Sequence, residues 1–88
     1  MTKPSMNNIA AKQIDPFAVR LAATTLILAE GSTSTLLVQQ FLRNRGYQAR
    51  QAEVAKWLII IALEGGWSIN DDGLFRVYQF PTAAVLPQ

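Results

Sequence analysis

The sequence predicts a mostly α domain, three helices closed by a C-terminal β-hairpin, and three observations carry that prediction. Two capped stretches show helical spacing of their apolar residues. A third candidate helix follows within GYQARQAEVAKWLIIIALEGGW. The chain then turns strand-like, with a turn-rich cluster set between aromatic, β-prone runs. At 88 residues it forms one domain, because a second hydrophobic core could not be closed in so short a chain. Half of the residues are hydrophobic and 16% are charged, which supplies a core and excludes the disordered class.

Residues 1–14 are polar, contain Pro4 and two asparagines, and read as a flexible N-terminal tail. Asp15 followed by Pro16 has the form of an N-cap with proline at the first helical position, where the missing N–H costs nothing. The first helix starts there. Phe17, Leu21, Ala22, Thr24, Thr25, Leu28 and Ala29 fall near an i, i+3, i+4, i+7 spacing, and Leu26 and Ile27 widen the apolar surface. Gly31 after Glu30 suits a left-handed C-terminal cap.

Ser32, Thr33 and Ser34 are each able to cap the second helix, read over 36–45 with Leu37, Val38, Phe41 and Leu42 on one face. Gln39, Gln40, Arg43 and Asn44 occupy much of the other. Gly46 stops this helix and Tyr47 follows as an apolar anchor. Only about three residues separate it from the third helix, so the two must turn sharply against each other, as in a helix-turn-helix.

The third helix is expected to begin near Gln48 or Ala49 and to run to Glu64. Gln51, Val54, Leu58, Ile61 and Ala62 share a face, with Ala55 and Ile59 beside them. The opposite side starts polar with Arg50 and Glu53 and ends apolar with Trp57 and Ile60. Either the hairpin or a second copy of the protein covers those two, which makes them the candidate interface of a homodimer. Gly65 and Gly66 end the helix. The hairpin follows in one of two registers. With a turn at Asp72 and Gly73, Ile69 faces Arg76 and Trp67 faces Tyr78; with 70–73 looped out, Ile69 faces Leu74 and Trp67 faces Arg76. Pro81 ends the second strand, and 81–88 reads as a C-terminal tail.

The chain has no cysteine and no histidine. Disulfides, thiol nucleophiles, histidine-dependent triads and nearly all zinc sites are thereby excluded, and no enzyme, metal or cofactor is expected. Asp71 and Asp72 are adjacent carboxylates, but neighbouring turn residues diverge and a hairpin tip is too open to raise a carboxyl pKa. They also lack the ligand ladder of a calcium loop, and Gly65, Gly66 and Trp67 lack the spacing of a phosphate loop. The longest apolar run, 57–63, is far short of a membrane span, and the polar start has no signal-peptide stretch. A cytoplasmic protein without a membrane partner is the expectation.

Charge distribution says more than net charge. From position 43 to 56, Arg43, Arg45, Arg50 and Lys56 oppose Glu53 alone, a local +3 in a chain of +2. A third helix whose second half is buried while Gln48, Arg50, Gln51, Glu53 and Lys56 stay in water is suited to entering the major groove of double-stranded DNA. Arg50 has the fork to grip a guanine edge. Gln48 and Gln51 suit adenine or a helix cap, and Lys56 suits a phosphate. Arg43 and Arg45 fit a phosphate contact, or simply oppose the dipole of the second helix. Trp57, Trp67, Tyr47 and Tyr78 sit among apolar residues at element ends and read as core.

Over about residues 15–80 this order of elements resembles the winged helix-turn-helix superfamily. The resemblance rests on the order itself, on FLRNRGYQARQAEVAKWL, and on the ending GGW…DDG…FRVY, where such proteins place the wing. It implies a DNA-binding protein, such as a transcriptional regulator, whose third helix reads bases while the wing touches backbone or minor groove. Gln48, Arg50, Gln51, Glu53 and Lys56 then map onto the reading end, and Arg76 with the 70–73 loop onto the wing. This chain departs from the pattern in two respects. Its wing tip is acidic, and 57–63 is more apolar than a single-sided core helix requires. The apolar stretch points to dimerisation, and the acidic tip with the low net charge favours the alternative of a protein-interaction module on the same scaffold.

Overall fold

A computed structural model describes residues 12–81. Helix α1, Pro16–Glu30, starts as its sequence requires: the Asp15 carboxylate accepts the Ala18 N–H at 2.7 Å, and Pro16 occupies the first turn. Its last turn closes when the left-handed Gly31 donates its N–H to the Ile27 carbonyl, 2.7 Å away. The face that enters the core carries Ala18, Val19, Ala22, Ala23 and Ile27. Phe17, Leu21 and Leu28, expected on the core side, are exposed instead. This helix is apolar around most of its circumference, so spacing alone did not pick the buried side. The side rich in alanine won because small residues let neighbouring helices approach closely.

A two-residue strand, β2, Thr33–Ser34, leads into α2, Thr35–Asn44. Of the three candidate caps Ser34 is the one used, its hydroxyl accepting the Leu37 N–H at 3.3 Å. Val38 and Leu42 are buried and Phe41 is half-buried, whereas Leu37 stays half-exposed. The chain then folds back through Arg45 and Gly46, whose N–H groups donate to Leu42 and Arg43 carbonyls, both at 3.0 Å. Gly46 adopts φ +88°, which a side chain would resist.

Strand β3, Tyr47–Gln48, runs parallel to β1, Lys12–Gln13, pairing Lys12 with Tyr47 and Gln13 with Gln48. Lys12 and Gln13, counted in the tail from sequence, are thus tied to the turn, and the Lys12 N–H also reaches the Gly46 carbonyl at 2.9 Å. Residues 1–11 of that expected tail, and 82–88 of the other, lie outside the described residues. Helix α3 runs Gln51–Gly65, three residues later than Gln48. Residues 47–50 are kept out of it by the β1–β3 pair and by burial of Ala49, whose carbonyl accepts a hydrogen bond from the Gln39 side chain at 3.0 Å. Val54, Leu58, Ile61 and Ala62 form the buried face of α3, and Ala55 and Ile59 flank it.

Two glycines at the end of α3 have separate reasons. Gly66 takes the left-handed cap at φ +68°. Gly65 is helical, but a Cβ there would stand 2.8 Å from Nε1 of Trp67, so its bare backbone admits the indole. Trp67 meets Phe80 edge-on at 5.4 Å, and both pack on the core.

Strands β4, Ser68–Asp71, and β5, Arg76–Gln79, form the expected hairpin in neither expected register. Ile69 pairs with Tyr78 and Asp71 with Arg76, leaving 72–75 as the loop. The hairpin also differs from a free-standing C-terminal one. It stops at Gln79, short of the last residue, and β5 is the middle strand of a sheet ordered β2-β5-β4, with Thr33 opposite Tyr78. Three helices and these small strands enclose one core, into which Tyr78 is fully buried. No helix among the described residues is long and apolar enough to cross a membrane.

Candidate nucleic-acid interface

The sharp bend between α2 and α3 leaves the first turn of α3 standing in solvent. Arg50 is its N-cap residue, extended in backbone and making no side-chain cap bond; Gln51, Ala52 and Glu53 follow, all exposed, and Lys56 lies one turn on. Val54 alone of these early positions points inward. The α3 entry is fixed from beneath by the bond from Gln39 to the Ala49 carbonyl. Sequence reasoning placed Gln39 merely on a polar face. No spacing signal marks it, since its partner is a backbone carbonyl ten residues away.

Beside this turn the hairpin forms the far wall of an open cleft of about 320 Å³, to which Ser34, Leu36, Gln51, Asp71, Phe75 and Arg76 contribute. Gln51 and Arg76 are the two expected site residues that share it. Arg76 is not a free cation there: its Nε donates to Asp71 Oδ2 at 3.1 Å. The nearby Tyr78 hydroxyl and the Asp71 carboxylate hold the guanidinium pKa above its usual range.

The remaining candidates diverge. Gln48 belongs to β3, where its Oε1 accepts from the Gln13 side chain at 3.3 Å, so it does not extend the reading helix. Arg43 lines a shallow groove along α2 with Leu36, Gln39, Gln40 and Asn44. Arg45 turns the other way, its guanidinium 3.9 Å from the centre of the Phe41 ring, onto a groove between α1 and α2. Lys56 folds over the Trp57 ring at 4.7 Å. Trp57 is half-buried against the chain's own core, while Ile60 remains 38% exposed.

The hairpin tip is built by its acids. Asp72 Oδ1 accepts the N–H groups of Leu74 and Phe75, both at 2.9 Å, and Asp71 Oδ1 accepts that of Gly73 at the same distance. These backbone donors hold both carboxylates below their ordinary value of 3.8, aided at Asp71 by Arg76. With the acids turned to the backbone, Leu74 and Phe75 project at 84% and 64% exposure. Sequence reading counted the tip as acidic and missed this apolar pair, because only the register shows that 74 and 75 lie in the loop. Among the described residues no group of three or more His, Cys, Asp or Glu side chains is placed to hold a metal ion.

No protein-family model matches the chain, and no curated protein or solved structure is significantly similar to it.

Proposed function

We propose that the chain is a winged helix-turn-helix domain that binds double-stranded DNA through the start of α3, without catalytic activity, in the manner of a small transcriptional regulator. The observation that carries this reading is the exposed first turn of α3, set on a short bend after α2 and backed by a second half that buries Leu58, Ile61 and Ala62 while Ile60 and Leu63 stay exposed. The winged assignment is supported by a hairpin that is held to the body by β2, a strand from before α2. In this reading Arg50 and Gln51 face base edges, Lys56 and Arg43 meet phosphates, and Glu53 selects against sequences that crowd it. Arg45 and Arg76 serve the fold, the one stacked on Phe41 and the other tied to Asp71.

Titration against duplex DNA at rising salt tests the reading. Binding weakens with salt in proportion to the phosphates neutralised, and Lys56→Ala lowers the magnitude of the log–log slope by about 0.9. Arg50→Ala costs about 1–3 kcal/mol and relaxes sequence preference. Wild type without salt-dependent binding, or two variants that bind as well as wild type, ends the DNA reading.

A second reading, a protein-interaction module on the same scaffold, is favoured by one observation: the tip presents Leu74 and Phe75 beside two carboxylates, a surface that suits a protein better than a phosphate backbone.

A further inference from the structure

Two surfaces at opposite ends of α2 have matching chemistry. One is the hairpin tip beside the first turn of α2, where Leu74 and Phe75 project and Asp72 supplies negative charge, Asp71 being paired with Arg76. The turn is fixed by carboxylate-to-backbone bonds, so neither apolar side chain is needed to hold it.

The other is the groove between α1 and α2, beside the last turn of α2. Ala18, Ala22 and Thr25 leave it open, and Leu21, Phe41 and Tyr47 wall it. Its volume is about 190 Å³, and an apolar cavity of about 150 Å³ already accepts benzene. Cations stand at its rim: Arg45 is stacked on Phe41, and Lys12 Nζ lies 5.0 Å from the centre of the Tyr47 ring. Asp15, at that end of α1, is engaged as a helix cap. The groove is therefore apolar with a basic rim, and the tip is apolar with an acidic flank. The length of α2 separates them, so a tip cannot fill the groove of its own molecule.

We propose that the hairpin tip of one copy docks into the α1–α2 groove of a second copy, Phe75 entering between Leu21 and Phe41 while Asp72 faces Arg45 and Lys12. The contact is heterologous, because the surfaces that meet are different ones. The pair then keeps one free tip and one free groove, and assembly continues past the dimer. The contact is small, belongs to the weak class below roughly 1,200 Å², and depends on one aromatic anchor. The contact does not require that the first turn of α3 bind DNA.

Sedimentation of the whole chain over a concentration series, without DNA, tests the proposal. The average mass of wild type rises beyond that of a dimer and falls back as salt screens the rim charges. Phe75→Asp removes the tip and Thr25→Arg blocks the groove. Each variant keeps the wild-type circular dichroism spectrum and associates at least about tenfold more weakly. Mixed together, the two form a one-to-one complex that grows no further, since one retains an intact groove and the other an intact tip. If either variant unfolds, Leu74→Asp or Leu21→Asp takes its place. A wild type that stays monomeric overturns the proposal, as does a mixture that fails to associate. So does a dimer indifferent to both substitutions, the result that two-fold pairing of Phe17 and Leu28 on α1 would give.

Discussion

Tyr78 has no exposed surface and sits across the β2–β5 pair from Thr33, and neither hydroxyl has a hydrogen-bonding partner among the described residues. The Tyr78 hydroxyl is near enough to the Arg76 guanidinium to favour its charge, but the geometry of a hydrogen bond is not met. A buried hydroxyl left unpaired costs about 1–3 kcal/mol, so the ring of Tyr78 stabilises the core while its oxygen works against it. Tyr78→Phe is expected to be neutral or to stabilise by up to about 1 kcal/mol in denaturant unfolding, whereas Tyr78→Ala costs about 3–5 kcal/mol. A clear loss on Tyr78→Phe would show that the hydroxyl is engaged after all. The opposite case is Gln39, an exposed-looking amide whose removal would strand the carbonyl of buried Ala49.

Among the elements, the hairpin loop has the plainest dependence on pH. Asp71 and Asp72 are held below the ordinary carboxylate value of 3.8 because their charged forms accept backbone N–H bonds. The stabilisation they give is therefore complete above that value and is lost as pH falls through their lowered ones. In an acid titration followed by NMR, the amide signals of Gly73, Leu74 and Phe75 should move together with a midpoint below 3.8. A midpoint at or above it would mean that these bonds do not form in solution. Much of the element order was legible beforehand. Asp15, Pro16 and Gly31 bound α1, and Ser34 was among the caps named for α2, because capping is chemistry between near neighbours. What escaped was long-range. The late start of α3 depends on Gln13 and Gln39 reaching across from other elements, and the hairpin register depends on where Asp72 finds its donors. The site divided in the same way. Exposure of Arg50, Gln51, Glu53 and Lys56 followed from local pattern, while the parting of Arg43 from Arg45 turned on an aromatic ring, Phe41, that only packing places.

At the scale of the whole molecule, the core is a three-helix contact made on the alanine-rich side of α1, with Tyr78 entering from the sheet. The longer apolar residues of α1 are left outside, and the Arg20–Glu64 pair that links α1 to the end of α3 is exposed at 3.5 Å and contributes at most about 1 kcal/mol. Burial, not charge, holds the helices together. The sheet order β2-β5-β4 has a kinetic consequence. Strands β4 and β5 are neighbours in sequence, and such a hairpin closes in about 1–10 μs. Strand β2 is separated from β5 by the whole of α2 and α3, so its pairing must wait until both helices have brought the ends together. Thr33 should therefore gain its neighbours late. Thr33→Gly, which weakens the strand itself, is expected to speed unfolding and leave the folding rate nearly unchanged in stopped-flow measurements; a slowed folding limb would place the β2–β5 pair in the nucleus instead. The domain thus assembles its helices first and is latched last, by two residues at the foot of α2.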